Sequence, residues 1–337
     1  MGRTLRSNVY RSAGLLGGLV LLAISFIASM RYGFVSISWN DIVSSIASYD
    51  EGEMNQVVAR TARLPRALIA ASVGGSLALA GAILQSVTRN PLASPSVLGI
   101  NAGASVAVVA AITLFSIRET EPLMWISFLG AAVAAAAVYV LGSVGREGLS
   151  PLRIILAGSA MTALFASLTQ GMLVRNESGL QDVLFWIAGS VAGRTTEMLL
   201  PVLPYMGAGW LLALALSRQW NIMAMGEESA KGLGQNMTLM KVAAGLIVIL
   251  LAGSAVAVAG PIGLIGIIVP HLARGIAGLD YRWLLPYSAV LGASLLLLAD
   301  LAARFIIFPL EVPVGIMTAV LGAPFFIYLA RKGRAKL

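Results

Sequence analysis

ALIAASVGGSLALAGAILQSVT, residues 67–88, carries no charge and decides how the rest of the chain is read. A membrane-crossing helix needs about 20 consecutive apolar residues, and this stretch supplies them between Arg66 and Arg89. A window of about 19 residues moved outward from it finds further apolar stretches at 14–30, 96–115, 122–142, 151–173, 198–217, 240–259, 262–278, 284–303 and 313–330. Pro122, Pro151 and Pro313 stand at the starts of their stretches, where a missing N–H costs least. The composition agrees: 58% of the 337 residues are apolar and 11% charged, against roughly one quarter charged in soluble chains. The expected fold is an all-α integral membrane protein of about ten transmembrane helices, one polytopic domain over residues 1–337.

Charge sets the expected orientation. With the N-terminus placed inside, Arg3, Arg6, Arg11, the 331–336 cluster and the alternate loops put fifteen basic and four acidic residues on the inner side. The inner side is then near +11 and the outer side near −3, which together make the chain's +8. This is a positive-inside pattern with an even number of spans and both termini cytoplasmic. The first stretch competes with a cleaved signal peptide. It is long for such an apolar region, and Ile27-Ala28-Ser29-Met30 is a poor small-residue cleavage site, so a retained helix is expected.

Thirty-six glycines suit helices that associate in lipid through small residues, and Gly99/Gly103 and Gly189/Gly193 have small-xxx-small spacing. Residues 75–81 precede Pro91 much as residues 253–260 precede Pro270, and in the expected topology the two copies run in opposite directions. An inverted repeat and a chance match of small-residue composition both account for this.

Much chemistry is excluded. No cysteine is present and His271 is the single histidine, which removes disulfides, thiolate sites and multi-histidine metal centres. The basic balance lacks the patch with interleaved aromatics that nucleic acid would need. No span has a carboxylate near its middle, against ion-coupled transport. Asp300 lies toward an outer end with Arg304 at i+4, the spacing of an ion pair. There is no G-x-x-x-x-G-K-[ST] loop; Gly260-Pro261-Ile262-Gly263-Leu264-Ile265-Gly266 lacks the lysine and reads as a turn. Met223, Met225, Met237 and Met240 read as packing rather than soft-metal ligands.

Two segments remain as partner surfaces. In the longest inner loop, Gly226, Glu227, Glu228, Ser229, Ala230, Lys231, Gly232, Leu233 and Gly234 form a glycine-framed helical segment whose Ala230 and Leu233 would present a small apolar ridge. Outside, Arg60, Arg63 and Arg66 crowd the entrance to the 67–88 span, suited either to carboxylates of a docking protein or to lipid headgroups.

Arg63-Leu64-Pro65-Arg66, followed by GAILQ (81–85) and NPLASP (90–95) through Leu98-Gly99, resembles the signature of the FecCD family of ABC importer permeases. Residues 186–190, 226–234, 260–271, 295–304 and 311–324 extend the likeness over essentially the whole chain. The resemblance implies a non-catalytic ten-helix permease of a type II importer in the bacterial cytoplasmic membrane. It would pair with a second permease chain, identical or not, around a pathway for a ferric siderophore, with haem or cobalamin as alternatives. It would bind no cofactor itself. ATP would be used by two nucleotide-binding subunits, and an extracytoplasmic substrate-binding protein would deliver the cargo. Arg63, Arg66 and Arg304 match positions that meet glutamates of that protein, and residues 226–234 match the loop that couples to the ATPases. The Trp186 segment would be a short outer-surface helix. An ion-coupled secondary transporter is the other class, and would take up substrate without ATPase partners.

Overall fold

A computed structural model describes residues 8–143, 151–175, 184 and 186–334. Among these the secondary structure is helical, apart from one isolated bridge between Ile307 and Leu310. In chain order the main helices are α1 (Asn8–Arg31), the short α2 (Trp39–Ala47), α3 (Met54–Thr88), α4 (Ile100–Phe115), α5 (Thr120–Ser143) and α6 (Pro151–Arg175). They continue with α7 (Leu203–Ala215), α8 (Ser217–Ala224), α9 (Glu227–Gly232), α10 (Met237–Ala259), α11 (Ile265–Ala277), α12 (Tyr281–Ala303) and α13 (Val314–Arg334). Six of them, α1, α3, α5, α6, α10 and α12, are long and apolar enough to cross a membrane. The other four expected spans fall on shorter apolar helices, α4, α7, α11 and the first part of α13. Arg3, Arg6, Arg146, Glu147 and Lys336 of the charge count, and most of the segment leading into Trp186, lie outside the described residues.

α3 is the axis, with 83% of its apolar window buried. It can be surrounded on all sides because its glycines let neighbouring backbones approach where side chains would hold them apart. A Cβ on Gly74 would overlap the Gly292 carbonyl oxygen of α12 and lie 2.8 Å from Leu296 Cβ. One turn-pair further, a Cβ on Gly81 would lie 2.5 Å from Gly266 Cα at the start of α11. A third crossing joins α4 to α5, where a Cβ on Gly130 would lie 2.5 Å from the Gly103 oxygen. The expected small-xxx-small pairs therefore need correction. Gly103 is a packing glycine, but Gly99 (φ +70°) is the left-handed residue that starts α4, and Gly189 (φ +72°) and Gly193 (φ +69°) lie in a loop. Their spacing reflects turns that need positive φ, not a helix face.

Some polar groups in this core find partners across helices, which lowers the cost of placing them in an apolar surrounding. Gln85 donates to the Gly266 carbonyl at 3.0 Å, and the Trp210 indole donates to Ser76 Oγ at 2.9 Å. The two segments compared as repeats differ in their surroundings. α3 and α10 each contain a π-turn, at Ala59–Arg63 and Ile249–Gly253, but the first lies well before residues 75–81 whereas the second runs into residues 253–260, so the two do not share the register of the match. At the periphery, only 17% of the α1 window and 11% of the α6 window are buried, leaving broad apolar faces toward whatever surrounds the chain.

Candidate docking pocket and coupling segment

Arg66 sits near the α3 end of the molecule where the spanning stretch begins, and Asp300 and Arg304 at the end of α12; the antiparallel α3–α12 packing brings them together. Asp300, 1% exposed, is the hub. It accepts from Arg66 Nε and Nη2, the latter at 2.8 Å, and from Arg304 Nη2 at 2.6 Å. The Arg304 pairing is the one its i+4 spacing predicts. Arg304 also donates to the Ser29 carbonyl, Ser29 Oγ and the Tyr32 carbonyl, each at 2.8 Å, which fastens the end of α1. Arg63 donates to the Tyr32 carbonyl and, at 2.8 Å, to that of Val35. The remaining edge of Arg66, Nη1, is held by both oxygens of Glu311 at 2.8 and 3.0 Å.

The structure thus brings the three expected docking arginines into one cluster and gives each of them internal partners. Arg60, expected beside them, instead lies 4.3 Å from the Tyr49 ring centroid in a cation–π contact. The cluster walls a depression of about 280 Å³ between the 33–35 loop, the start of the 67–88 span and the 193–195 loop. Among the described residues four arginines line it, Arg63, Arg66, Arg194 and Arg304, against one carboxylate, Glu311. Sequence reasoning missed Arg194 and Glu311, which no local spacing ties to the other three. Arg194 donates a 3.4 Å hydrogen bond from Nε to the Ser190 carbonyl, and burial lowers its pKa. Beside the depression the loop after α12 exposes Phe305, Ile306, Ile307, Phe308 and Leu310, with Phe308 packed 5.5 Å from Phe34.

At the other end of α3 lies the glycine-framed segment. Gly226 adopts φ +114° where a Cβ would lie 3.2 Å from Arg89 Nη1, and α9 begins directly after it. The helix ends on Gly234 (φ +78°), with Gly234 N donating to the Lys231 carbonyl and Gln235 N to that of Ala230, both at 2.9 Å, a Schellman closure. The expected apolar ridge is corrected: Ala230 is fully buried against the rest of the chain, and Leu233 is exposed without it. Six residues with glycines at both ends carry too little periodicity to show which face packs inward.

Glu227 ties α9 down. It pairs with Lys231 at 3.1 Å and with Lys241, near the start of α10, at 3.0 Å. The Lys241 hydrogen bond holds the Glu227 carboxyl below its usual range, with Lys231 adding to the effect. A lowered carboxyl contributes stability that is present above its unfolded value, about 4.3, and lost as pH falls through the folded one. Amide exchange in residues 230–235, corrected for intrinsic rates, is expected to accelerate as pH falls below about 4. Glu227→Gln should exchange faster at neutral pH and lack that acid-side change; identical pH profiles would refute the assignment. Among the described residues no group of three or more His, Asp or Glu side chains is placed to hold a metal ion.

The model of the FecCD transport family matches residues 21–332. The probable siderophore transport system permease protein YfiZ of Bacillus subtilis (strain 168) is 52% identical over 325 residues, 95% of this chain and 97% of that protein. The Fe(3+)-citrate import system permease protein YfmD of the same organism is 44% identical, covering 92% of this chain and 88% of its own. A solved inward-facing structure assigned to the metal-chelate type of ABC transporter superposes with a TM-score of 0.83 at 31% identity, over 95% of this chain and 99% of that one. With its apolar spanning helices and this coverage, the chain is a multi-pass membrane protein that belongs to the FecCD transport family.

Proposed function

We propose that the chain is the permease subunit of an ATP-driven type II importer that moves a ferric siderophore or a similar iron chelate across the bacterial cytoplasmic membrane. About ten helices would cross, with both termini inside. The observation that carries the reading is the placement of two partner-type surfaces at opposite ends of α3. From Arg66 to Arg89 the helix covers roughly 35 Å at about 1.5 Å per residue, a bilayer's hydrocarbon thickness. The arginine-lined depression at one end suits carboxylates of an external binding protein. The tethered α9 at the other suits an ATPase subunit, whose push would pass through Glu227–Lys241 into α10. The relatives named for siderophore and Fe(3+)-citrate transport support the cargo class. A second permease chain is supported by α6, which exposes Ser159, Ser167 and Gln170 along a helix long enough to span. Facing another chain and a wet pathway satisfies those groups better than facing lipid does. ATP hydrolysis falls to the partner subunits; this chain's part is to bind partners and change shape.

Arg66 and Arg304 hold the local fold, so the docking test falls on Arg194, which forms no ion pair with the described residues. In a reconstituted complex, Arg194→Glu is expected to lower stimulation of ATPase activity by the binding protein about tenfold, of the order of a desolvated charge contact. Unchanged stimulation would count against the pocket as the docking site.

A further inference from the structure

We propose that Glu311 is an internal stand-in for the docking protein's carboxylate: it occupies the outward edge of Arg66 in the undocked chain and is exchanged on docking. The inference rests on the docking reading and adds a residue and a step to it. Arg66 presents two edges, and the structure treats them differently. The Nε/Nη2 edge is gripped by Asp300, which is shut away from solvent and shared with Arg304. The Nη1 position is taken by Glu311, whose side chain is 21% exposed, lies on the segment between α12 and α13, and lines the depression. Asp300 therefore fixes where Arg66 stands, while Glu311 covers the part of it that faces the pocket.

The chemistry of the walls supports exchange. Glu311 is the one carboxylate among four lining arginines of the described residues, so its departure would leave a concave, strongly cationic surface with Arg66 Nη1 uncovered. A carboxylate from outside would meet the same donor in the same geometry, with Arg63, Arg194 and Arg304 around it. Glu311 lowers the apparent affinity because the pocket is competent only when its contact is open. An internal contact formed ~80–90% of the time weakens binding about five- to tenfold. In return it keeps Arg66 paired when nothing is docked, since an arginine this buried is costly to leave half satisfied.

The test is equilibrium binding of the purified cognate binding protein to the full permease–ATPase complex in lipid nanodiscs, with the thermal midpoint of each complex measured alongside. Glu311→Gln is expected to tighten binding about five- to tenfold, chiefly through a faster on-rate, with little change in midpoint. Glu311→Asp, which retains the charge on a shorter reach, is expected to give a smaller gain and serves as the informative variant if Glu311→Gln does not fold. Unchanged or weaker binding in these variants overturns the stand-in, weaker binding meaning that Glu311 positions Arg66 for its partner instead. Arg194→Glu separates the two levels. Loss of binding there without a gain at Glu311 leaves the docking pocket standing; unchanged binding in both sets overturns the pocket as well.

Discussion

Asp300→Ala is expected to be the most damaging single substitution at the Arg66 end of the molecule. One carboxylate, buried to 1% exposure, neutralises two guanidinium groups, and the other carboxylate of the cluster, Glu311, is already taken up by Arg66. Without it Arg66 retains Glu311 only, and Arg304 retains carbonyl and hydroxyl acceptors that carry no full charge. Arg304 Nε already lacks a partner among the described residues, so the site has no slack. Breaking a buried ion pair by removing one member costs about 3–5 kcal/mol, a large part of a typical total of about 5–15 kcal/mol. The expected result is loss of monodisperse chain in detergent, or a thermal midpoint lowered by many degrees. Asp300→Asn, which keeps an acceptor, should be milder. Asp300→Ala with Arg304→Met should recover part of the loss, because the second change removes one of the stranded charges. A wild-type midpoint in Asp300→Ala would show that the network is not needed for folding.

Gly292→Ala is expected to be nearly as severe, for a reason unconnected with charge. The added methyl would overlap the Gly74 carbonyl oxygen and approach Ala78 Cβ to 2.6 Å, and the reciprocal change at Gly74 meets the Gly292 carbonyl in turn. Backbone cannot step aside as a side chain tip can, so α3 and α12 must separate along their crossing. Overpacking of this kind costs roughly 1–3 kcal/mol and sometimes more, here against the most buried of the six span-length helices among the described residues. Gly207→Ala is the matched control: Gly207 lies in α7 with nothing within 4 Å of where the methyl would sit, and alanine there should be neutral or slightly stabilising. Equal midpoints for Gly292→Ala and Gly207→Ala would refute the close-packing argument.

What could be read from sequence was whatever is local. Apolar stretches mark the six span-length helices and the four shorter apolar ones because composition survives any packing arrangement, and the i+4 step from Asp300 to Arg304 names an ion pair that the structure contains. Length was less legible. α4 and α11 start late, after Gly99 and Leu264 in left-handed conformation, and an apolar turn residue looks the same in a hydropathy window as an apolar helix residue. The pocket was legible in part. Three of its four arginines, and Glu311 at the start of the 311–324 string, stand in stretches that carry the family likeness, but nothing in those stretches placed Glu311 at the pocket, which it and Arg194 reach only because distant loops fold over the end of α3. Nor could spacing show that Asp300 serves Arg66 as well, since that contact depends on how α3 lies against α12. The Ala230–Leu233 ridge failed for the same reason: which side of a short helix is buried is decided by its neighbours.

The glycine crossings also divide the molecule into stiff and compliant parts. Where Gly74 meets Gly292 and Gly81 meets Gly266, main chain rests on main chain, so no rotamer change can lengthen or shorten the separation. α3, α11 and α12 should therefore travel as a single frame. Any opening or closing of the permease would then be carried by elements outside that frame, among them the peripheral α6, whose window is only 11% buried and whose own main-chain contact, Gly158 on the Val97 carbonyl, is made to the turn before α4 and not to the frame.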